Sequence, residues 1–446
     1  MNNHSPWLDF DRPSFSSLSG EQNFDVAIIG GGIAGVSTLY FLLKNTDKKV
    51  VLLEKGKIAS GATGHNAGFA INWLEKVSQD LIAEQGFEKT KNGYREIDSG
   101  WDLIDEMSNA VGAGPVNFIE GGGEVFTSLQ HFFNSAEEES ANESLGRGGW
   151  EYLVSKENLN IEIPDSIKKF VKIVPREELL GRFGLKDEGY IAAAIPTGRS
   201  TKKTRINSAR LCIDLIKYLL EKYANRFSVF ENSEITKVEI EDSKNILISD
   251  SGKVIADEIV LCTNGYLGPE IIDKKKNKKL TKIKDDIERI LGYAGGFLDM
   301  DVSAQTSALF DDRGTYKDTP YFYYHHVPGF ENKGSLAVLG GPEKTLSKEE
   351  VYDENQQIPE GIPSIYRDFL LRAFGKEIKG FDYLWHGLMG YTPSGTRWVG
   401  RDPDFPTILY NLGCNGVGFL TSIVGGEKIS KIINGENLPP SMFDPS

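Results

Sequence analysis

The chain has 446 residues, of which 39% are hydrophobic and 26% charged, and 64 acidic residues against 50 Lys and Arg give a net charge of -14. This size and balance predict a folded protein of two interlocked domains, and the negative charge disfavours nucleic acid as a partner. Three widely spaced cysteines argue against a zinc site or a disulfide framework, and without a signal core or an apolar run of about 18 residues the expected location is the cytoplasm.

The first predicted elements form a strand–helix–strand unit. An apolar run at residues 24–29 predicts a buried parallel strand, residues 36–45 predict a helix, and residues 50–53 predict a second strand that ends at Glu54. The turn at residues 30–35 reads Gly-Gly-Gly-Ile-Ala-Gly and matches G-x-G-x-x-G. Such a turn lets a diphosphate approach the helix N-terminus, and the acid can bind ribose hydroxyls, so the unit predicts a dinucleotide site. An acid at that position disfavours NADP.

Further along, residues 66–117 follow a largely helical, amphipathic pattern. Residues 134–149 are acidic and then rich in Ser, Asn and Gly, which predicts a surface insertion. A helix is predicted over residues 207–223, a solvated lysine-rich loop over 274–284, and a strand followed by a helix over 408–434. Strands are predicted at residues 227–230, 235–240, 245–249, 255–262, 292–298, 321–326 and 336–340.

A second loop at residues 58–68, Ile-Ala-Ser-Gly-Ala-Thr-Gly-His-Asn-Ala-Gly, is dense in small residues, which lets backbone N–H groups approach a ligand that extends from the first loop. Five further segments belong with this loop, at residues 24–30, 207–211, 256–265, 385–395 and 413–419. Together they resemble the D-amino-acid oxidase-like family of FAD-dependent oxidoreductases, which includes glycine oxidase, sarcosine oxidase and dimethylglycine dehydrogenase. The resemblance covers most of the chain and is least specific between residues 117 and 201.

The resemblance implies an α/β fold in which an FAD-binding Rossmann-like domain, a parallel sheet plus a β-meander, is interleaved with a substrate domain built on a mixed, mostly antiparallel sheet. The FAD-binding domain is predicted to comprise residues 1–95, 202–268 and 385–446, and the substrate domain residues 96–201 and 269–384. The residues predicted to bind FAD are Gly30, Gly32, Ile33, Ala34, Gly35, Glu54, Lys55, Ser60, Gly61, Ala62, Thr63, His65, Asn66, Ala67, Gly68, Ile235, Thr263, Asn264, Gly265, Gly387, Gly390, Asn415, Gly416, Val417, Gly418 and Phe419.

The resemblance also implies a reaction. The family oxidises a C–N bond: a small amine or amino acid gives hydride to flavin N5, the imine is hydrolysed, and O2 or another acceptor takes the electrons. Two alternatives remain open at this stage. One is a flavin-binding subunit that acts as a redox or structural partner in a larger complex. The other is an NAD-dependent dehydrogenase, which leaves the loop at residues 58–68 without an explanation.

The chain departs from its relatives at the expected substrate clamp. Where amino-acid-oxidising members carry an arginine for the substrate carboxylate, this sequence has Met389, which cannot form a bidentate ion pair. Either Arg397 binds the carboxylate, or the substrate is an amine without one, or the alignment is shifted by one or two residues. His65 occupies the place of a flavin-linked histidine in dimethylglycine dehydrogenase-like members, so it is predicted either to bond covalently to FAD or to donate a hydrogen bond nearby.

The segment at residues 321–326 supplies the remaining candidates. Its strand pattern places Tyr321, Tyr323 and His325 on one face, and this face is predicted either to line the substrate cavity or to pack within an ordinary sheet.

Overall fold

The structure is a computed structural model that describes residues 2–119, 122–158, 162–187, 189–198, 201–241, 244–299, 309–311, 321–332 and 334–445. Its strands are β1 (Gly20–Ile29), β2 (Val50–Leu53), β3 (Phe69–Ile71), β4 (Gly123–Phe126), β5 (Trp150–Ser155), β6 (Val171–Val174), β7 (Ala192–Pro196), β8 (Lys203–Arg205), β9 (Phe227–Phe230), β10 (Lys237–Glu241), β11 (Lys244–Ile248), β12 (Gly252–Leu261), β13 (Glu270–Asp273), β14 (Lys278–Leu280), β15 (Glu288–Asp299), β16 (Leu309–Asp311), β17 (Phe322–Pro328), β18 (Ser335–Leu346), β19 (Tyr383–Tyr391), β20 (Trp398–Arg401) and β21 (Ile408–Leu412). Its helices are α1 (Ile33–Asn45), α2 (Ser78–Gln85), α3 (Phe87–Ala110), α4 (Leu129–Ser144), α5 (Arg176–Phe183), α6 (Ser208–Lys222), α7 (Lys282–Asp286), α8 (Gly361–Phe374) and α9 (Gly418–Ile433).

The first sheet carries the cofactor-binding elements. Its centre is parallel, in the order β21-β12-β1-β2-β9, and β10, β11 and β12 form an antiparallel meander beside it. Strand β2 is buried along its whole length, as expected for a parallel strand covered on both faces. Helices α1 and α9 pack on one side of this centre. The predicted Rossmann-like sheet with a β-meander is therefore confirmed.

The second large sheet is mixed and mostly antiparallel, as predicted. Its order is β19-β15-β18-β17-β16-β4-β7-β5-β6, and among these neighbours only the β16–β4 and β5–β6 pairs are parallel. Helix α8 packs its buried face on this sheet through Tyr366 and Phe369. Strand β19 belongs to this sheet although residues 385–446 are predicted to lie in the FAD-binding domain, and the division into domains stays a prediction.

The largely helical pattern predicted for residues 66–117 is confirmed in α2 and α3, although β3 precedes them. Two other local predictions are wrong. Residues 134–149 are not a surface insertion: most of them lie in α4, which buries Phe132 and Ala136 against β5 and β7. Residues 274–284 contain β14, which extends the edge of the first sheet, and the start of α7. In α4, tertiary contacts outweigh a polar local composition. Residues 274–279 are exposed, as predicted, and the difference there is the strand pairing of β14.

The turn between β1 and α1 depends on two glycines. Gly30 has a φ of 110°, in the region that favours glycine. A Cβ atom on Gly35 would clash with the carbonyl oxygen of Gly30, so only glycine lets the helix pack this near the strand.

Among the helices of the described residues, none combines the length and the apolar character needed to cross a membrane.

Candidate active site

A cavity of about 840 Å³ opens between the two large sheets. Most of the residues predicted to bind FAD line it. They are Gly30, Gly32, Ile33, Ala34, Glu54, Lys55, Ser60, Gly61, Ala62, Thr63, His65, Asn66, Ala67, Ile235, Thr263, Asn264, Gly387, Gly416, Val417, Gly418 and Phe419. Outside the lining are Gly35 in α1, Gly390 in β19, and Gly68, Gly265 and Asn415 in the loops that contribute lining residues. The structure thus brings together segments that are up to about 390 residues apart in sequence.

Glu54 is hydrogen-bonded to the backbone of the first glycine loop. Its carboxylate accepts hydrogen bonds from the backbone N–H of Gly31 at 2.7 Å and of Gly56 at 2.9 Å. Burial raises the pKa of Glu54, and these backbone hydrogen bonds oppose that rise. Because a carboxylate has about four acceptor positions, the same oxygens still have room for ribose hydroxyls. Nearby, the Nζ atom of Lys55 lies 4.4 Å from the ring centre of Tyr266.

The second loop is tied to the start of α1. The backbone N–H of Ile33 donates to the Thr63 hydroxyl at 2.9 Å, and the N–H of Ala59 donates to Gly31 O at 3.0 Å. On the other side, the Ser208 hydroxyl at the start of α6 donates to Thr63 O at 2.7 Å. These bonds hold the small residues of the loop against the N-terminus of α1, where free N–H groups and the helix dipole favour negative charge.

His65 lies in this second loop beside β19. Its Nδ1 atom is 3.1 Å from Gly61 O, and since a carbonyl oxygen only accepts, Nδ1 carries the proton and Nε2 carries the lone pair. Burial lowers the pKa of His65 to about 4, so the ring is neutral at physiological pH. A Cβ on Gly387 would lie 2.6 Å from His65 O, which shows how closely β19 approaches the loop. The covalent histidyl link to FAD stays a prediction.

Three observations support the fit of FAD in this cavity. Its volume lies near the upper end for ligand sites, as a dinucleotide requires. The N-terminal ends of α1 and α9, at Gly32 and Gly418, both line it. Finally, the Thr263 hydroxyl oxygen is buried in the lining without a hydrogen-bond partner among the described residues, and such an orphaned group is explained by a ligand.

A second part of the cavity lining, called the substrate end below, is formed by Tyr321, Tyr323, Met389, Glu343 and Glu75. It borders the C-terminal glycine loop, because a Cβ atom on Gly416 would clash with the Glu75 carboxylate. The Tyr321 hydroxyl donates to Glu343 Oε1 at 3.0 Å. Burial, and then the charge of Glu75, raise the pKa of Glu343 to about 7. This end therefore combines aromatic walls with a carboxyl group that titrates near neutral pH.

Two predicted substrate residues, His325 and Arg397, are held by hydrogen bonds to other parts of the protein. His325 is fully buried outside the cavity lining, where it packs on Phe69 with ring centres 3.8 Å apart and donates from Nε2 to Ala67 O at 2.8 Å. Arg397 does line the cavity, but its guanidinium is bonded to Asn411 and Gly413 in the loop between β21 and α9. Its contacts therefore favour the cofactor end.

No sequence pattern points to Glu343 or Glu75 as site residues. Glu343 follows the buried run of β18, where an acidic residue resembles any solvated strand end. Glu75 lies in the stretch that was predicted to be helical and is instead irregular. An aromatic pattern revealed Tyr321 and Tyr323, but only the pairing of β17 with β18 brings the acidic residue beside them.

Comparison with known proteins agrees with this site. A family model described as FAD dependent oxidoreductase matches residues 25–432. Glycine oxidase from Bacillus licheniformis is 23% identical over 416 residues, which cover 93% of this chain and 94% of that enzyme. A relative named "Probable oxidoreductase OrdL" from Rhizobium meliloti is 25% identical over 268 residues, and the alignment covers 58% of this chain and only 53% of that protein.

A solved structure of glycine oxidase from Geobacillus kaustophilus superposes with a TM-score of 0.68 at 15% identity, covering 95% of this chain and 98% of that one. This likeness shows the shared fold. The family match extends from β1 to the end of α9 and so includes both glycine loops and the C-terminal loop of the cavity. An NAD-dependent dehydrogenase is thereby set aside. The chain belongs to the D-amino-acid oxidase-like family of FAD-dependent oxidoreductases, and FAD is its cofactor.

Proposed function

We propose that the enzyme oxidises the C–N bond of a small amine that lacks an adjacent carboxylate. The observation that carries this proposal is the cavity end beyond the FAD-binding loops, which is lined by Tyr321, Tyr323, Met389 and Glu343. FAD, when bound, supplies the hydride acceptor for the carbon that bears the amine, and water then hydrolyses the imine.

The residues of this end suit an amine. Tyr321 and Tyr323 provide apolar walls and exclude water, which helps to hold the reacting carbon in place. The carboxylate of Glu343 is suited to bind an ammonium group and to accept its proton at Oε2, while Tyr321 holds Oε1. The amine must be neutral before it can give up hydride, so a carboxyl group with a pKa of about 7 has a direct use here.

The same end offers little to a carboxylate. Among the described residues of the cavity lining, the lysine and arginine side chains are Lys55, over the Tyr266 ring, and Arg397, bonded at Asn411 and Gly413. Met389 lines this end, at the position where the family resemblance implies an arginine in amino-acid-oxidising relatives. The carboxyl groups of Glu343 and Glu75 would repel the negative charge of a substrate carboxylate. These observations favour an amine over an amino acid.

The test is anaerobic stopped-flow reduction of the bound flavin with matched pairs of substrates. Each pair consists of a primary or N-methylated alkylamine and the corresponding amino acid, which carries an additional carboxylate on the carbon that bears the amine. We expect at least one amine to bleach the flavin faster than its amino-acid partner. Faster bleaching by the amino acids contradicts the proposed preference. No bleaching by any compound contradicts the proposed reaction and favours a redox or structural partner role.

A further inference from the structure

Arg397 is a cation buried in the cofactor half of the molecule. Only 3% of its surface is exposed. Its guanidinium donates to Asn411 Oδ1 at 2.5 Å from Nε, to Asn411 O at 3.0 Å from Nη2, and to Gly413 O at 3.3 Å from Nη1. All three acceptors are neutral, and within the described ranges no carboxylate lies within 4.0 Å of this guanidinium.

An ion in this position is costly. Removing a charged group from water is strongly unfavourable unless a counter-charge offsets it. Burial lowers the pKa of Arg397 only to about 10, so the group keeps its charge at neutral pH. Neutral acceptors satisfy three of its five N–H bonds and leave the net charge without compensation by protein carboxylates. The charge is therefore explained best by an anion that the protein binds.

The surroundings of Arg397 indicate which anion this is. Nη1 lies 3.6 Å from the position of a Cβ atom on Gly418, the first residue of α9. Asn411, which holds the guanidinium, also donates to Ala34 O in the first turn of α1 at 3.3 Å. Arg397, Gly32 and Gly418 all line the same cavity. Arg397 thus lies beside the N-terminus of α9 and is linked through Asn411 to the first turn of α1, and both helix N-termini favour negative charge.

We propose that Arg397 binds the diphosphate of FAD, together with the first turns of α1 and α9. The inference rests on the FAD dependence of the family and is independent of the proposed substrate. The guanidinium is held from behind by Asn411 and Gly413, which leaves its other N–H bonds for phosphate oxygens and fixes their direction. Arginine suits this position because its planar fork matches phosphate geometry.

The first test measures binding to apo-protein produced under riboflavin limitation. Because charge-assisted hydrogen bonds to phosphate would be lost, we expect Arg397→Met to weaken the binding of FAD and of ADP roughly ten- to a hundred-fold. Binding of uncharged adenosine should stay unchanged. Arg397→Lys keeps the charge, and its loss of affinity for FAD and ADP is expected to be smaller. The matched control is Arg401→Met: Arg401 lies four residues further on and pairs with Glu258 at 2.5 Å, so FAD binding should not change.

A second measurement separates this role from a merely structural one. Arg397→Met leaves the acceptors on Asn411 and Gly413 without this donor, so some loss of Tm is expected in the apo-protein. If the charge is present for the cofactor, the loss should be larger with FAD, and the rise in Tm on adding FAD should therefore shrink. An equal loss of Tm with and without FAD contradicts the proposal. So does unchanged ADP binding combined with a shifted flavin reduction potential, because the charge would then act on the isoalloxazine ring.

Discussion

At the scale of single residues, Glu343 shows how position creates reactivity. The side chain follows the buried part of β18 and faces the cavity beside Tyr321. Burial disfavours the carboxylate, and the nearby charge of Glu75 disfavours it further, so protonation is shifted toward neutral pH. A group that titrates at the working pH accepts and releases a proton with little cost, which is the requirement for a general base.

This predicts the pH dependence of flavin reduction. A base must be unprotonated to act, so kcat/KM for the amine is expected to rise with pH and to level off above the Glu343 pKa of about 7. Glu343→Gln should lower the rate roughly a hundred-fold and remove that inflection. Glu343→Asp keeps the carboxyl group, so it should retain part of the rate and part of the pH inflection. An unchanged profile in Glu343→Gln would assign the inflection to the substrate or to another residue.

At the scale of elements, β17 links the second sheet to the cofactor loop. His325 in this strand donates to Ala67 O, and its ring packs on Phe69 of β3, so the second loop is held from the far side of the cavity. The ring is fully buried, and burial lowers the pKa of His325 to about 3. It therefore supports the loop as a neutral donor, which is a different role from the predicted contact with substrate.

A depressed histidine pKa makes stability depend on pH. Between pH 6.5 and 3 the unfolded chain binds a proton at this residue and the folded chain does not, so stability falls as pH falls through that window. His325→Gln keeps a donor without titrating and should reduce the slope of unfolding free energy against pH by up to about 1.4 kcal/mol per unit. Urea unfolding at pH 7, 6 and 5 measures this.

His325→Phe provides the contrast. It also removes the titration, but it leaves Ala67 O unpaired in the interior and should cost about 1–3 kcal/mol at pH 7. Equal stability of the Gln and Phe variants at pH 7 would show that the hydrogen bond contributes nothing.

Elements also show what the sequence can predict. The unit from β1 to β2 was predicted correctly because its strand, glycine turn, helix and acid lie within about 35 residues and obey local rules. Helix α4 was missed because its polar composition resembles a surface segment, while the few side chains that decide its position, such as Phe132, pack on distant strands. Likewise, the sequence offers Arg397 only as a candidate for the substrate carboxylate, because nothing local reveals its hydrogen bonds to Asn411.

At the scale of the whole molecule, the cavity is assembled from both sheets and both ends of the chain. The first sheet contributes the loops after β1, β2 and β12, and the second contributes residues of β15, β18 and β19. The FAD end was predictable because its loops carry glycine patterns with a physical purpose. The substrate end was not, because it depends on the order of strands β15, β18 and β17, which no local pattern encodes.

A ligand that contacts both sheets should stabilise them together. FAD binds the folded chain and not the unfolded one, so at a thousand times its Kd it should stabilise the protein by about 4 kcal/mol, and each further tenfold excess should add about 1.4 kcal/mol. We therefore expect the Tm of apo-protein to rise steadily with the logarithm of FAD concentration in a thermal melt. NAD is the control, because it offers the same diphosphate and adenine without an isoalloxazine for the end lined by His65 and Gly387. An equal rise with NAD would mean that only the first sheet holds the ligand, whereas a larger rise with FAD shows that the cofactor joins both sheets.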